Sequence, residues 1–181
     1  IKTDKYLMKI PLHKLGKSDL QISPLGLGCW QFSKQTGLIG KNWASLTDDE
    51  TTNIVKASID GSINWFDTAE IYGHGKSEQS LSNALKKNGL KPSEAIIATK
   101  WWPNGRWAPS IKKTICKRLS NLGGYPITLH QIHSPLGFSS IEKEMNAMAD
   151  LIEEGKIKHV GVSNFNAIRM RRAYRALDRR G

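Results

Sequence analysis

The chain has 181 residues, with 39% apolar and 24% charged, which is one domain's length at the usual ~150 residues. That balance excludes disordered, collagenous and disulfide-stapled classes and leaves an ordinary globular chain, large enough to bury a core without a metal. The 27 Lys and Arg against 16 Asp and Glu give a net charge of +11 and a pI near 9.7, which suits either a solvated basic surface or an anionic partner such as nucleic acid, a membrane or a phosphorylated ligand.

The N-terminus, Ile1-Lys2-Thr3-Asp4, lacks both Met and a signal-like apolar run, so we expect a chain trimmed at its front. Residues 9–22 read as a hairpin whose polar turn is Gly16-Lys17-Ser18-Asp19. From Leu25 onward short apolar strands alternate with amphipathic helices. The strands are expected at 25–30, 63–67, 95–100, 127–133 and 159–163, and the helices at 48–60, 77–87, 110–122, 141–153 and 167–179. Thr47 with Glu50, and Ser139 with Glu142, have the spacing of a capping box at a helix start. Such a run of βα units implies parallel strands with right-handed crossovers. No linker divides the chain, which reads as one domain over 1–181.

Cys29 and Cys116 form no CxxC or metal-ligand spacing, and no N-x-[ST] sequon occurs. We therefore expect no metal site and a reducing, cytoplasmic setting. No apolar run approaches the ~20 residues needed to cross a bilayer. Two phosphate-loop motifs fail. Gly26-Leu27-Gly28-Cys29-Trp30-Gln31 lacks the last glycine of a dinucleotide fingerprint, and Gly75-Lys76-Ser77 would need glycine where Glu70 stands.

The strand ends carry the polar residues. Asp67, Lys100, His133 and Ser163-Asn164 recur at intervals of 33, 33 and 30, the period of equivalent positions in successive βα units. All then lie on one rim of the sheet, where a βα barrel builds its active site.

Leu20-Gln21-Ile22-Ser23-Pro24-Leu25-Gly26-Leu27-Gly28, Phe66-Asp67-Thr68-Ala69 with Tyr72-Gly73, Thr99-Lys100, Gln131-Ile132-His133 and Gly161-Val162-Ser163-Asn164-Phe165 together resemble the aldo-keto reductases over nearly the whole chain. The resemblance implies an α/β fold, a (β/α)8 TIM barrel of which about five of eight units are present after the hairpin. It also implies reduction of an aldehyde or ketone with NADPH. By motif, Tyr72 is the general acid, Lys100 its activating cation, Asp67 the partner of Lys100 and a cofactor contact, and His133 the group orienting the carbonyl. Ser163 and Asn164 match the family's contacts to the nicotinamide carboxamide. Trp30, Trp101 and Trp102 are candidates for an aromatic substrate wall, with Phe32 and Trp107 nearby. A non-catalytic, cofactor-binding sensor or regulatory subunit is the alternative within the same family.

The chemistry is intelligible without the family. Hydride delivery to a carbonyl leaves an alkoxide that needs a proton, and a tyrosine with an ordinary pKa of about 10 is a poor acid at neutrality. A lysine cation ~4 Å away favours the phenolate by ~4 kcal/mol at an effective dielectric of ~20. This predicts a lowered Tyr72 pKa. Neutral His133 could donate to the substrate oxygen. Taken singly, each residue also has a structural reading: Asp67 as a turn or cap, Tyr72 as a loop aromatic, Lys100 snorkelling to solvent, His133 in the core, Ser163 and Asn164 capping the last helix, and the tryptophans packing under their loops. His130 is the decoy for His133.

Five strands fall short of a closed barrel. We therefore expect this to be the N-terminal part of a longer protein, which alone binds NADPH weakly or not at all and is inactive. Six arginines (169, 171, 172, 175, 179 and 180) face Asp178 alone over 166–181, and Met170, Ala173, Tyr174 and Leu177 form the expected buried stripe of that last helix. The arginines then cover a solvated outer face, and neither a nucleic-acid nor a membrane partner is expected. A basic binding module built on that helix is the third reading.

Overall fold

The computed structural model describes residues 11–35 and 44–180. The hairpin is formed by β1 (His13–Lys14) and β2 (Gln21–Ile22), antiparallel with His13 opposite Ile22. Its turn closes when the Ser18 hydroxyl donates to the Leu15 carbonyl at 2.6 Å. Positions 9 and 10 of the expected hairpin lie outside the described residues.

Five parallel strands follow: β3 (Leu27–Gly28), β4 (Trp65–Asp67), β5 (Ile96–Trp101), β6 (Ile127–Ile132) and β7 (Ile157–Val162). They lie side by side in chain order with no reversal. Right-handed crossovers that always step the same way place every helix on the same face, so the sheet is part of a βα barrel rather than a doubly wound sheet. The helices are α1 (Asp48–Asp60), α2 (Lys76–Lys87), α3 (Pro109–Asn121), α4 (Ile141–Glu153) and α5 (Ala167–Asp178).

The helix starts follow local chemistry. Thr47 and Glu50 form the expected capping box, each side chain accepting the other's backbone N–H. Pro109 at the first position of α3 has no N–H to leave unpaired. The cap of α4 is Ser140, which accepts from the Lys143 N–H, not the expected Ser139. Ser139 instead accepts the Ala108 N–H at 2.9 Å and ties two rim loops together.

The dry core lies between sheet and helices, with Phe66, Ile97, Trp101 and Ile132 meeting Leu81, Leu85, Ile115 and Met145. On the other face the hairpin contributes Leu15, Leu20 and Ile22 to a cavity of about 280 Å³ that reaches up to Asp67 and Lys100. The hairpin is anchored by the Trp65 indole, which donates to the Ser23 carbonyl at 3.1 Å. Gly26 is required there, since any Cβ would overlap the Trp65 ring.

The expected stripe of α5 needs correction. The helix buries Ala173 and Ala176, while Met170 and Tyr174 are exposed. Two small residues let α5 settle closely, turning the large side chains outward, and Arg172 and Arg180 reach back to Glu142, Asp150 and Glu153 on α4. No described helix is long and apolar enough to cross a membrane.

Candidate active site

Strand parity decides which side chains meet. In the parallel register Asp67 lies opposite Ala98, Lys100 opposite Gln131, and Gln131 opposite Gly161. The polar strand ends are therefore not all level, as an even period suggested, but climb by two residues from β4 to β5 and again from β5 to β6, while Ser163 after β7 is level with His133. A step of two keeps every one on the same face. Asp67 Oδ2 consequently lies 2.6 Å from Lys100 Nζ on the next strand, and Asp67 Oδ1 accepts from Gln131 Nε2 at 3.3 Å on the one after. Lys100 also donates to the Thr68 carbonyl at 2.9 Å.

Tyr72 sits on the loop after β4, its ring centroid 5.3 Å from Lys100 Nζ. Trp30 stacks on it at 5.8 Å with 17° between planes, and His133 meets it edge-on at 5.7 Å. Gly73 makes the loop possible: it has φ +62°, and a Cβ there would overlap the Ser33 carbonyl oxygen. The predicted fall in the Tyr72 pKa is not what this arrangement gives. Burial first, and then the nearby Asp67 carboxylate, push it up to about 12. Asp67 neutralises most of the field of Lys100, so desolvation of the phenolate wins.

His133 is half-buried, with Nδ1 enclosed and without a hydrogen-bond partner among the described residues. Burial and the adjacent Lys100 cation pull its pKa down to about 4, leaving a neutral imidazole at pH 7. His130 has the opposite parity and lies in the core, Nδ1 3.3 Å from the Thr99 carbonyl.

Parity also divides the tryptophans. Trp102, past the strand end, meets the His133 ring edge-on at 5.1 Å. Trp101 is fully buried in the helix layer, its indole donating to Ser110 Oγ at 3.2 Å, so it cannot line the open face. Phe32 is likewise core. Trp107 stands exposed at the rim with Phe138 at 5.5 Å.

Ser163 and Asn164 follow β7. Asn164 Nδ2 donates to the His133 carbonyl at 2.8 Å and to Ser163 Oγ at 3.1 Å, with the residue at φ +59°. The cap of α5 is Asn166, whose side chain accepts the Arg169 N–H, so Ser163 and Asn164 are not needed for it.

The aldo/keto reductase family model matches residues 24–180. The chain belongs to this family. It is 36% identical over 159 residues to an uncharacterized oxidoreductase, Rv2298, of Mycobacterium tuberculosis, covering 88% of this chain and 47% of that protein. Among solved structures it resembles the glycerol dehydrogenase AKR11B4 of Gluconobacter oxydans (28% identity, TM-score 0.73, 93% of this chain and 52% of that one). It also resembles the thermostable aldo-keto reductase Tm1743 (27%, TM-score 0.79, 91% and 58%). The chain thus spans about half the length of the curated relatives it matches.

Two acidic groups in this aldo/keto reductase chain escape a reading by strand ends. Glu70 and Glu78 share Arg118, at 3.3 and 3.2 Å, and Glu70 also pairs with Arg106. Glu78 accepts further from Thr99 Oγ1 at 2.7 Å and Asn121 Nδ2 at 2.9 Å. The signal was present in the spacing, since Glu70 and Thr99 stand beside the motif residues, but the basic partners lie on other elements.

Glu144 of α4 is buried below the loop that follows His133, its Oε1 without a hydrogen-bond partner among the described residues. It packs on Gly137, where any Cβ would overlap Oε1. Burial pushes its pKa up to about 7. A carboxyl whose pKa is higher folded than unfolded favours the fold below the unfolded value and loses that contribution as pH rises through the folded one. Glu144→Gln should therefore stabilise the protein above pH 7 by roughly 1–3 kcal/mol, with the gain vanishing below the ordinary glutamate range. Denaturant midpoints at pH 5 and pH 8 test this, and a pH-independent difference would contradict it.

Proposed function

We propose that the protein reduces an aldehyde or ketone to an alcohol, taking hydride from NADPH and the proton from Tyr72. The observation that carries this reading is the cluster itself: a neutral phenol, an Asp67-held lysine and a neutral imidazole converge on one face, with aromatic rings on either side. The phenol keeps its proton at Oη across the neutral range because burial and Asp67 disfavour the phenolate, so the acid is charged with its proton whenever an alkoxide develops nearby. Lys100, fixed by Asp67 and the Thr68 carbonyl, supplies positive potential where oxygen charge accumulates. His133, kept neutral, offers a ring N–H to the carbonyl oxygen rather than a second full charge.

A nicotinamide group fits the residues beside this cluster. Asn164 is exposed, and its Nδ2 donors are engaged while Oδ1 has no partner among the described residues. Ser163 Oγ lies alongside. An amide oxygen and a hydroxyl complement the donors and acceptor of a carboxamide, and Asp67 flanks them. When bound, NADPH supplies the hydride. Trp30 and Trp102 would bound an apolar carbonyl substrate, and Trp107 stands further out.

NADPH oxidation with a panel of nitrobenzaldehydes and simple ketones tests the reading on the protein at its natural length. Turnover supports it. NADPH binding with no turnover on any substrate overturns it in favour of a sensor or regulatory subunit of the same fold. Because relatives are about twice as long, residues 1–181 by themselves should bind NADPH more weakly than micromolar, and a fluorescence titration giving tighter binding would contradict this.

A further inference from the structure

The peptide of Trp102 is bracketed by one ion pair. Its N–H donates to Glu70 Oε1 at 2.5 Å, and its carbonyl accepts from Arg106 Nη1 at 3.0 Å. The same two atoms, Glu70 Oε1 and Arg106 Nη1, are paired with each other. Both main-chain polar groups of a single rim residue are thus held by charged side chains, an unusual outlay for a loop whose hydrogen bonds water could satisfy.

The pair joins three loops. Glu70 lies two residues before Tyr72 on the loop after β4. Arg106 and Trp102 lie on the loop after β5. The Arg106 carbonyl accepts the Phe138 N–H at 2.9 Å, which brings in the loop after β6 that begins at His133. Each partner is itself immobilised. Glu70 Oε2 faces Arg118, which is bound to fully buried Glu78. Arg106 donates to Ser110 Oγ and Thr114 Oγ1, both at 3.2 Å, and lies over the Trp101 ring at 5.3 Å. A chain of charge therefore runs from the dry layer behind the sheet to Trp102, whose ring meets His133 edge-on.

We propose that Glu70 and Arg106 are positioning residues that fix the Trp102 indole against His133, and so set which carbonyl substrates the site accepts. Neither reaches the reacting atoms. They act through Trp102, whose ring is held at a defined height above the imidazole because its peptide cannot rotate. Loss of the clamp frees a bulky apolar side chain at the entrance, and its effect depends on substrate bulk. An aryl carbonyl that must lie against a fixed indole loses its wall, while a small aliphatic carbonyl loses little. This rests on the carbonyl-reductase reading above.

The test uses the protein at its natural length with Glu70→Gln, which keeps shape but breaks the ion pair, and Arg106→Met, which keeps the stem over Trp101 and removes every guanidinium donor. Arg106 is the more exposed partner, so the second variant remains informative if the first fails to fold. In kinetics, KM for a nitrobenzaldehyde should rise about tenfold, with kcat and the KM of a small ketone nearly unchanged. Equal losses for both substrates, or none, would overturn the proposal, since a merely structural role lowers the active fraction and moves kcat alone. In NMR, the nuclear Overhauser contact between the Trp102 and His133 ring protons should be lost in both variants. Its persistence would overturn the proposal independently of turnover. A wild type that turns over no carbonyl while the variants lose the ring contact would sink the enzyme reading and leave the clamp standing.

Discussion

Tyr72→Phe should lower carbonyl reduction by about 10²–10⁴-fold, the usual loss when a positioned proton donor is removed, while NADPH affinity stays unchanged. Phenylalanine keeps the stacking on Trp30 and the edge contact with His133, so the cluster's packing survives and only the hydroxyl is lost. The wild-type pH profile carries a second signature. With His133 pulled down to about 4 and Tyr72 pushed up to about 12, neither group changes protonation between those limits. The rate should therefore be flat through the neutral range. It should fall in acid, where an imidazolium beside Lys100 repels that cation, and fall in strong base, where the phenol has already lost the proton it must give. A limb near the ordinary histidine pKa would show that His133 is not desolvated in this way. Retained turnover in Tyr72→Phe would move the acid to another residue.

Arg118→Met should cost about 3–5 kcal/mol, the size expected when one partner of a buried ion pair is removed and its counter-charges stay behind. Arg118 is nearly inaccessible between Glu70 and Glu78. Burial already raises the Glu78 pKa, and Arg118 is the largest influence opposing that rise. In the variant the opposition is gone, so Glu78 binds a proton more readily in the folded state than in the unfolded one. A group with that sign loses its stabilising contribution as pH rises. The deficit should accordingly be smaller at pH 5 than at pH 8, as read from denaturant midpoints of both proteins. An equal deficit at the two pH values would mean that lost packing of the arginine stem accounts for the cost.

The barrel layout was legible because each strand is a compact apolar run and each helix an amphipathic one; α1 and α4 occupy the ranges expected from Thr47 and the 141–153 pattern. The ends were less so. β3 shortens to Leu27–Gly28, and just before it Gly26 lies against the Trp65 ring. The Ser139 and Ser140 choice turned on a tertiary contact to Ala108, which no local pattern contains. That Asp67, Tyr72, Lys100 and His133 would cluster was legible because they close strands or follow them by a fixed motif. The direction of the Tyr72 shift was not, because a pairwise estimate with Lys100 omits both burial and the carboxylate that cancels the lysine. Trp101 was misplaced for a simpler reason: as the last residue of β5 it has the parity of Ile97 and Thr99 and turns to the helix layer, opposite to Lys100. The Glu70 and Glu78 network stayed hidden because Arg106 and Arg118 reach it from a loop and a helix that sequence separation conceals.

Alternation along β5 and β6 has a further consequence for how the sheet finds its pairing. On β5, Ala98 and Lys100 face the open side, while Ile97, Thr99 and Trp101 face the helices; on β6, Gln131 alternates with His130 and Ile132. A slip of one residue between these strands would drive a lysine cation into the dry layer and push an indole out into the hollow. The charges of the candidate site thus also penalise every neighbouring misalignment, so this polar cluster doubles as a ruler against which the strands are measured during assembly.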